Sequence, residues 1–412
     1  MPQPSLRRKA TAHLEAGVSS IVKAILPTIL MGIALSLCAR GAEVPLPVDA
    51  VVLARWIAEQ QYLKPDLPSY GGLKIHPAVA VTSADGTNYC RVSPYFANLG
   101  VLGLLRARTP NGAHVAELWI RWYYAHLDAQ SAPDGVPYEH FYQADGGGET
   151  TCVKPGDHSV CHFNDATDSA AATFFSVLWA AHQAGVASAK LNTPERKELT
   201  EALAGVLLKL QQSDGLCWAK SDYRAKYLED NCEVFAGLCD LANLERDVFN
   251  DLPRSTFYRQ AAERVQRGIL KELYNPQTKL YAVAKFEDNS RPVTNLDKWY
   301  PDTQAQLWPH LFGAVTPADP RTQAVMAAVN AHWNGHTKPD WSANPEQINN
   351  SSIEAGAAYA ASLAGETQRV RTYVEAVKRL KFPNSSGLSG FEWPFSIIDA
   401  GWLLQTLVQL PD

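Results

Sequence analysis

The sequence predicts an all-α chain: six inner helices ringed by six outer ones, an (α/α)6 barrel with a few short strands in its loops. Three observations predict it. Six helix-length blocks are small and apolar almost throughout, amphipathic charged stretches lie between them, and a polar or acidic turn leads into each apolar block. A helix apolar all round is buried on all sides, whereas one with a charged face borders solvent. Alternation of the two kinds therefore reads as two concentric layers.

The first residues stand apart from this rhythm. Arg7, Arg8 and Lys9 precede a mostly apolar run from Ala24 to Ala39, followed by Ala39-Arg40-Gly41, a small-x-small cleavage site. This is the pattern of a secretory signal peptide over residues 1–41, with a single barrel domain over 42–412. The alternative is a retained membrane anchor, but the run is 16 residues with Pro27 inside it, short of the ~20 needed to span a bilayer. Leu35-Ser-Leu-Cys38 looks like a lipobox with Leu37 where a small residue is wanted, so a lipid-anchored form is a variant of the same reading. The expected location is the periplasm or the exterior.

Composition agrees with a large folded domain. Hydrophobic residues make up 46% and charged residues 19% of the chain, enough for a sizeable core. Residues 1–39 carry +3 and the whole chain −5, which leaves −8 for the remainder. A protein this acidic lacks the electrostatic footprint for nucleic acid. Six cysteines remain beyond Cys38: Cys90, Cys152, Cys161, Cys217, Cys232 and Cys239. Cys152–Cys161 is the best disulfide candidate, closing a short loop with Pro155-Gly156. Cys217 could reach Cys232, although buried free thiols suit Cys232 and Cys239 better. No Cys/His spacing resembles a zinc site.

The inner blocks begin near residues 93, 168, 231, 302, 353 and 397. Ser169–Ala184 and Thr303–Gly313 contain no Asp, Glu, Lys or Arg. Ile353–Gly365 has only Glu354, and Ser396–Leu410 only Asp399. Outer segments are predicted over 111–128, 194–212, 254–274, 320–333 and 366–381. Thr193-Pro194 and Asp319-Pro320 mark two of their starts with a capping residue before a first-turn Pro. Pro309 predicts a kink or an early end in the fourth inner helix. Leu73–Val81 and Lys279–Phe286 are the strand candidates. An α-solenoid is the alternative, but it calls for a tighter repeat and less aromatic loops.

With this layout in place, the chain resembles the six-hairpin glycosidases, the (α/α)6 barrels, over about residues 47–410. Ala166-Thr167-Asp168, opening an Ala-rich inner helix, is similar to the Ala-Thr-Asp motif of family-eight glycoside hydrolases. The resemblance implies that this segment lines a cleft and presents acids to a sugar. Trp299-Tyr300-Pro301-Asp302, followed by Gln304 and Trp308, also looks like cleft-lining sequence. Family-eight enzymes carry an acid Glu at the start of an early inner helix. Here Asn88–Ser93 has no carboxylate, so that mechanism does not transfer whole.

Glycoside hydrolysis needs a protonated carboxyl at the leaving oxygen and a second carboxylate that activates water or attacks the sugar. Asp165, Asp168, Asp302 and Glu233 are the catalytic candidates. Asp165 and Asp168, three apart, share one helical face and exceed what capping requires. Asp302 sits among Trp299, Tyr300 and Trp308, whose rings suit sugar faces. Asp230 and Glu233 also fit a capping-box spacing, as does Ser351-x-x-Glu354, where a cap is the preferred reading. Asp399 has no aromatic turn beside it and is not favoured for catalysis. Tyr95, Tyr138, Glu139, His140, Trp218, Asp230, Trp299, Tyr300, Gln304, Trp308, Glu392 and Trp393 are the expected substrate-binding residues.

The chain is thus expected to be an exported glycoside hydrolase acting as a monomer on a poly- or oligosaccharide, without metal or organic cofactor. Two other readings stand beside it. One is a non-catalytic glycan-binding protein on a degenerate barrel. The other is a polysaccharide lyase using Tyr138, His140 and Arg91 on a uronate.

Overall fold

The computed structural model describes residues 48–83, 86–127, 134–153, 160–164, 166–349, 353–380 and 395–410. Residues Leu46–Asp412 form one compact unit. The N-terminal segment, Asp165, Glu392 and Trp393 lie outside the described residues.

Six helical hairpins build the unit. The outer helices are α1 (Val48–Glu59), α3 (Gly112–Ala125), α5 (Pro194–Leu210), α7 (Leu252–Gly268), α9 (Pro320–His332) and α11 (Thr367–Arg379). The inner helices are α2 (Pro94–Arg106), α4 (Thr167–Gln183), α6 (Leu228–Asp247), α8 (Trp308–Leu311), α10 (Ala355–Leu363) and α12 (Ile397–Gln409). Each inner helix touches the next, and α12 closes on α2, so the six form a ring. The two-layer (α/α)6 expectation is met.

The burial patterns follow the sequence. α4 buries nearly every residue from Thr167 to Ala181. α11 buries Val370, Tyr373, Val374 and Val377, the i, i+3, i+4, i+7 stripe of a helix with one face on the core. Glycine sets the ring spacing at its closest contacts. A Cβ on Gly103 of α2 would stand 2.4 Å from the Cα of Gly401 on α12, and one on Gly237 of α6 would stand 2.3 Å from the carbonyl oxygen of Ala172 on α4.

The predicted caps form. The side chains of Thr193 and Asp319 accept the backbone N–H groups of Arg196 and Arg321. The fourth inner position departs from a full helix. A cis Tyr300–Pro301 bond and an irregular turn at Trp299–Thr303 precede α8, which spans four residues with Pro309 in its first turn. Pro309 lacks an N–H and can open a helix but not continue one, so the helix expected from 303 begins instead at Trp308.

The strands are short. β1 (Val81–Thr82), β2 (Asn88–Val92), β3 (His140–Gln143) and β4 (Glu149–Thr150) form one antiparallel sheet. The expected strand at 279–286 is divided between Leu280–Tyr281 and Ala284–Phe286. The Cys152–Cys161 disulfide is present and joins two paired strands. Cys217 and Cys232 are buried free thiols.

One buried acid lies away from the ring's mouth. Glu245 of α6 is fully buried near Glu201 of α5. Burial first, then Glu201, push its pKa up to about 8 from 4.5. A carboxyl raised on folding holds its proton more tightly in the folded than in the unfolded chain. Its contribution to stability is therefore full below 4.5 and is lost as pH rises through about 8. Glu245→Gln is expected to flatten this fall. Denaturant melts of parent and variant between those pH values test it, and a difference that does not change with pH overturns it.

Candidate active site

The N-terminal ends of the inner helices surround a cavity of about 380 Å³. Its wall takes Tyr95 and Phe96 from α2, Ser169 from α4, Glu229 and Asp230 from α6, Tyr300, Gln304 and Trp308 around α8, Glu354 and Gly356 at α10, and Asp399 and Trp402 from α12. Among the described residues every charged group in the wall is an acid: Glu229, Asp230, Glu354 and Asp399. Aromatic rings alternate with these acids. Trp402 is backed by Tyr359 in a stacked pair at 5.5 Å, and Tyr300 is 58% exposed at the rim.

The spacing of Asp230 and Glu233 fitted a capping box, but α6 starts at Leu228 with Tyr227 as its N-cap and no side-chain cap bond. Glu233 is thereby turned inward. It is buried, and its Oε1 accepts the hydroxyl of Tyr95 at 2.7 Å and the indole N–H of Trp308 at 3.1 Å. Both donors line the cavity, so Glu233 fixes two rings of the wall from behind. Tyr95→Phe removes one of these donors from a buried acid. It is expected to destabilise the fold by about 1.5–3 kcal/mol, measured by denaturant unfolding. An unchanged midpoint would show that this bond contributes nothing.

Asp168 lies in the first turn of α4 with no exposure. Its Oδ1 accepts the N–H of Ser169 at 2.9 Å, and its Oδ2 is buried without a partner. Burial, then the charge of Asp230, hold its pKa well above the ordinary carboxylate range. It sits behind the wall formed by Ala166 and Ser169.

Glu354 has the most unusual backbone at the site. It occupies the N-cap position of α10 in the left-handed region, φ 47° and ψ 52°, and its side chain makes no cap bond. A non-glycine residue held there carries local strain, which proteins retain chiefly where function requires it. Its Oε1 accepts the amide N–H of Asn349 at 2.5 Å.

Two acids respond to Glu354. Burial, then Glu354, push Asp399 up to about 7. Burial raises Glu229 well above the ordinary range, helped first by Glu233, then by Asp230 and Glu354, while a hydrogen bond from Gln304 opposes the rise. The two differ in what holds them. Asp399 closes a capping box on Ser396, whose N–H and hydroxyl both donate to its Oδ2. Glu229 keeps Oε1 without a partner.

Other expected site residues lie outside the cavity wall. The Asp302 carboxylate accepts the N–H of Asn295 at 2.8 Å and ties down the turn before α8. Trp299 is buried edge-on against Trp333. Tyr138 stacks on His162, Glu139 pairs with Arg91, His140 with Glu149, and the Trp218 ring lies under the Lys226 ammonium. None of these lines the cavity.

No family model matches the chain, and no curated protein matches it in sequence. Solved structures do. A wild-type glycosidase is similar at a TM-score of 0.55 and 14% identity, covering 88% of this chain and 98% of its own. An α-amylase from Clostridium perfringens is similar at 0.53 and 13%, covering 88% and 97%. A D-mannose isomerase is similar at 0.55 and 10%, also covering 88% and 97%. At these identities the likeness is one of fold alone, the two-layer ring of inner and outer helices. The local similarity to family eight gains no support from these structures.

Proposed function

We propose that this protein is an exported glycoside hydrolase acting on an uncharged glycan. The observation that carries the reading is the acid-only, aromatic-lined cavity in which Glu354 stands beside two carboxyls held toward protonation. Hydrolysis requires two carboxyl groups whose environments push their pKa values apart. In this reading Glu354, held by Asn349, is the carboxylate that activates water or attacks the sugar. Glu229, raised and with Oε1 unpartnered, is the acid at the leaving oxygen. Asp399 is fixed by Ser396 and stands beside Glu354 as a second raised carboxyl. Trp308, Trp402 and Tyr300 offer apolar faces to the C–H surface of pyranose rings.

The wall also bears on the substrate. A uronate or sugar phosphate would bring a negative charge beside several carboxyls with no cation in the described wall to meet it, an arrangement that rejects such ligands. This counts against the lyase reading, as does the absence of Arg91 and His140 from the described wall, each being paired with a glutamate. The disulfide and the basic-then-apolar N-terminus support export, since disulfides persist in oxidising compartments. No helix among the described residues is long and apolar enough to cross a membrane.

The test is a panel of neutral and uronate-containing glycans incubated with purified protein. New reducing ends from a neutral glycan alone are expected. Unsaturated products from a uronate glycan would establish a lyase, and conversion of free mannose to its ketose an isomerase. Calorimetric binding without turnover would establish a binding protein. Each of these overturns the proposal.

A further inference from the structure

The strongest feature outside the cavity lies on one face of the β1–β4 sheet. His140 and Tyr142 are two apart on β3, so they point to the same side. Glu149 of β4 pairs with Tyr142 across the strands and therefore joins them. His126 reaches the same place from the end of α3, where it follows the last helical residue. Its ring stacks on Trp122 at 4.0 Å, and the rings of His126 and His140 stand 4.5 Å apart, nearly perpendicular.

The hydrogen bonds orient these rings toward one another. Nδ1 of His126 faces the carbonyl oxygen of Trp122 at 2.7 Å, which makes Nδ1 the protonated nitrogen and leaves Nε2 as a lone pair. That lone pair faces the Tyr142 hydroxyl at 3.1 Å and lies 4.0 Å from Glu149 Oε1. His140 Nδ1 is 2.6 Å from the same Oε1, while its Nε2 is buried without a partner. One donor atom from each of the three residues lies within 4.8 Å of the others.

We propose that His126, His140 and Glu149 form a binding site for a divalent transition metal of the zinc class. Two imidazoles and one carboxylate suit zinc, cobalt or nickel, whereas calcium and magnesium prefer all-oxygen shells. The His126 bond to a backbone carbonyl is the outer-shell support that a metal-bound imidazole normally has. Both histidines are buried, and the Glu149 side chain is 32% exposed. The carboxylate is therefore the solvent-facing ligand of the three. Tyr142 stands by as a hydrogen-bond partner of both His126 and Glu149. The site joins an outer helix to the sheet away from the cavity and is independent of the proposed hydrolysis.

The test uses the full chain treated with chelator and then titrated with Zn2+ alone. One equivalent is expected to bind by calorimetry and to raise the melting temperature, with chelator reversing the rise. Co2+ in its place is expected to give the visible spectrum of nitrogen and oxygen ligation. Glu149→Gln, a change at a partly exposed position, is expected to weaken binding by at least tenfold while the metal-free melting temperature holds. His140→Ala is expected to abolish binding. Should His140→Ala fail to fold, Glu149→Gln and the Co2+ spectrum still decide. Absence of binding to the parent protein, or binding unchanged in Glu149→Gln, overturns the proposal.

Discussion

Glu354→Gln is expected to lower turnover by roughly 10²–10⁴-fold while leaving the fold intact. Gln keeps the shape of the side chain and an oxygen to accept the Asn349 amide, so packing is preserved. The charge is lost, and with it the group proposed to activate water or attack the sugar. Asp399, now pushed up to about 7 partly by Glu354, should titrate lower in the variant, and the pH optimum of residual activity should move in the acid direction. Stability should hold or rise, because two neighbouring acids lose a repulsive partner. Glu354→Gly sharpens the point. Glycine accepts the left-handed backbone at φ 47° freely, so this variant should gain roughly 1 kcal/mol of stability and still be inactive. Initial rates on the hydrolysed glycan and denaturant unfolding measure both effects. Parental turnover in Glu354→Gln would remove this residue from the mechanism.

The sequence showed the ring more clearly than the site. Ser169–Ala184 and Ser396–Leu410 are inner helices for the reason their composition gives: neither has a charged face to offer solvent. The shortened fourth helix was half visible, since Pro309 marked a break without showing on which side the helix would lie. At the site, similar patterns concealed different outcomes. Ser351-x-x-Glu354 has the spacing of a cap, yet Glu354 itself takes the cap position in a left-handed conformation and aims its side chain elsewhere. A backbone dihedral of this kind leaves no mark in residue spacing. Asp399 does complete a cap with Ser396 and also lines the cavity, so one role did not exclude the other. Glu229 stood beside Asp230 at a helix start and drew no candidate role, because the rotation of α6 that presents both residues is set by packing on α4 and α7. The acid-free start at Arg91–Tyr95 contributes Tyr95, a donor to Glu233, where a carboxylate was sought. His126, His140 and Glu149 come from a helix end and two strands, which no single-helix or loop spacing describes.

Gly237→Leu should be the most damaging single change to the fold. Gly237 sits where α6 crosses α4, and an added Cβ would stand 2.3 Å from the Ala172 carbonyl oxygen and 2.7 Å from its Cα. These are backbone atoms of a buried helix and cannot turn aside as a side chain could. The helices must separate, and the interior, packed like a crystal, transmits the shift. A loss of about 3 kcal/mol or more is expected, read as a lowered midpoint in denaturant unfolding. Activity should fall further than the folded fraction accounts for. α4 carries Asp168 and Ser169, and α6 carries Glu229, Asp230 and Glu233, so moving one helix against the other displaces one side of the cavity relative to the other. Gly205→Ala on the outer helix α5 is the control. Nothing lies within 4 Å of the Cβ it would add, and replacing a mid-helix glycine with alanine should stabilise by roughly 0.5–1 kcal/mol. Equal midpoints for Gly237→Leu and its parent would mean that the inner ring tolerates separation at α4 and α6, and that glycine does not set its spacing there.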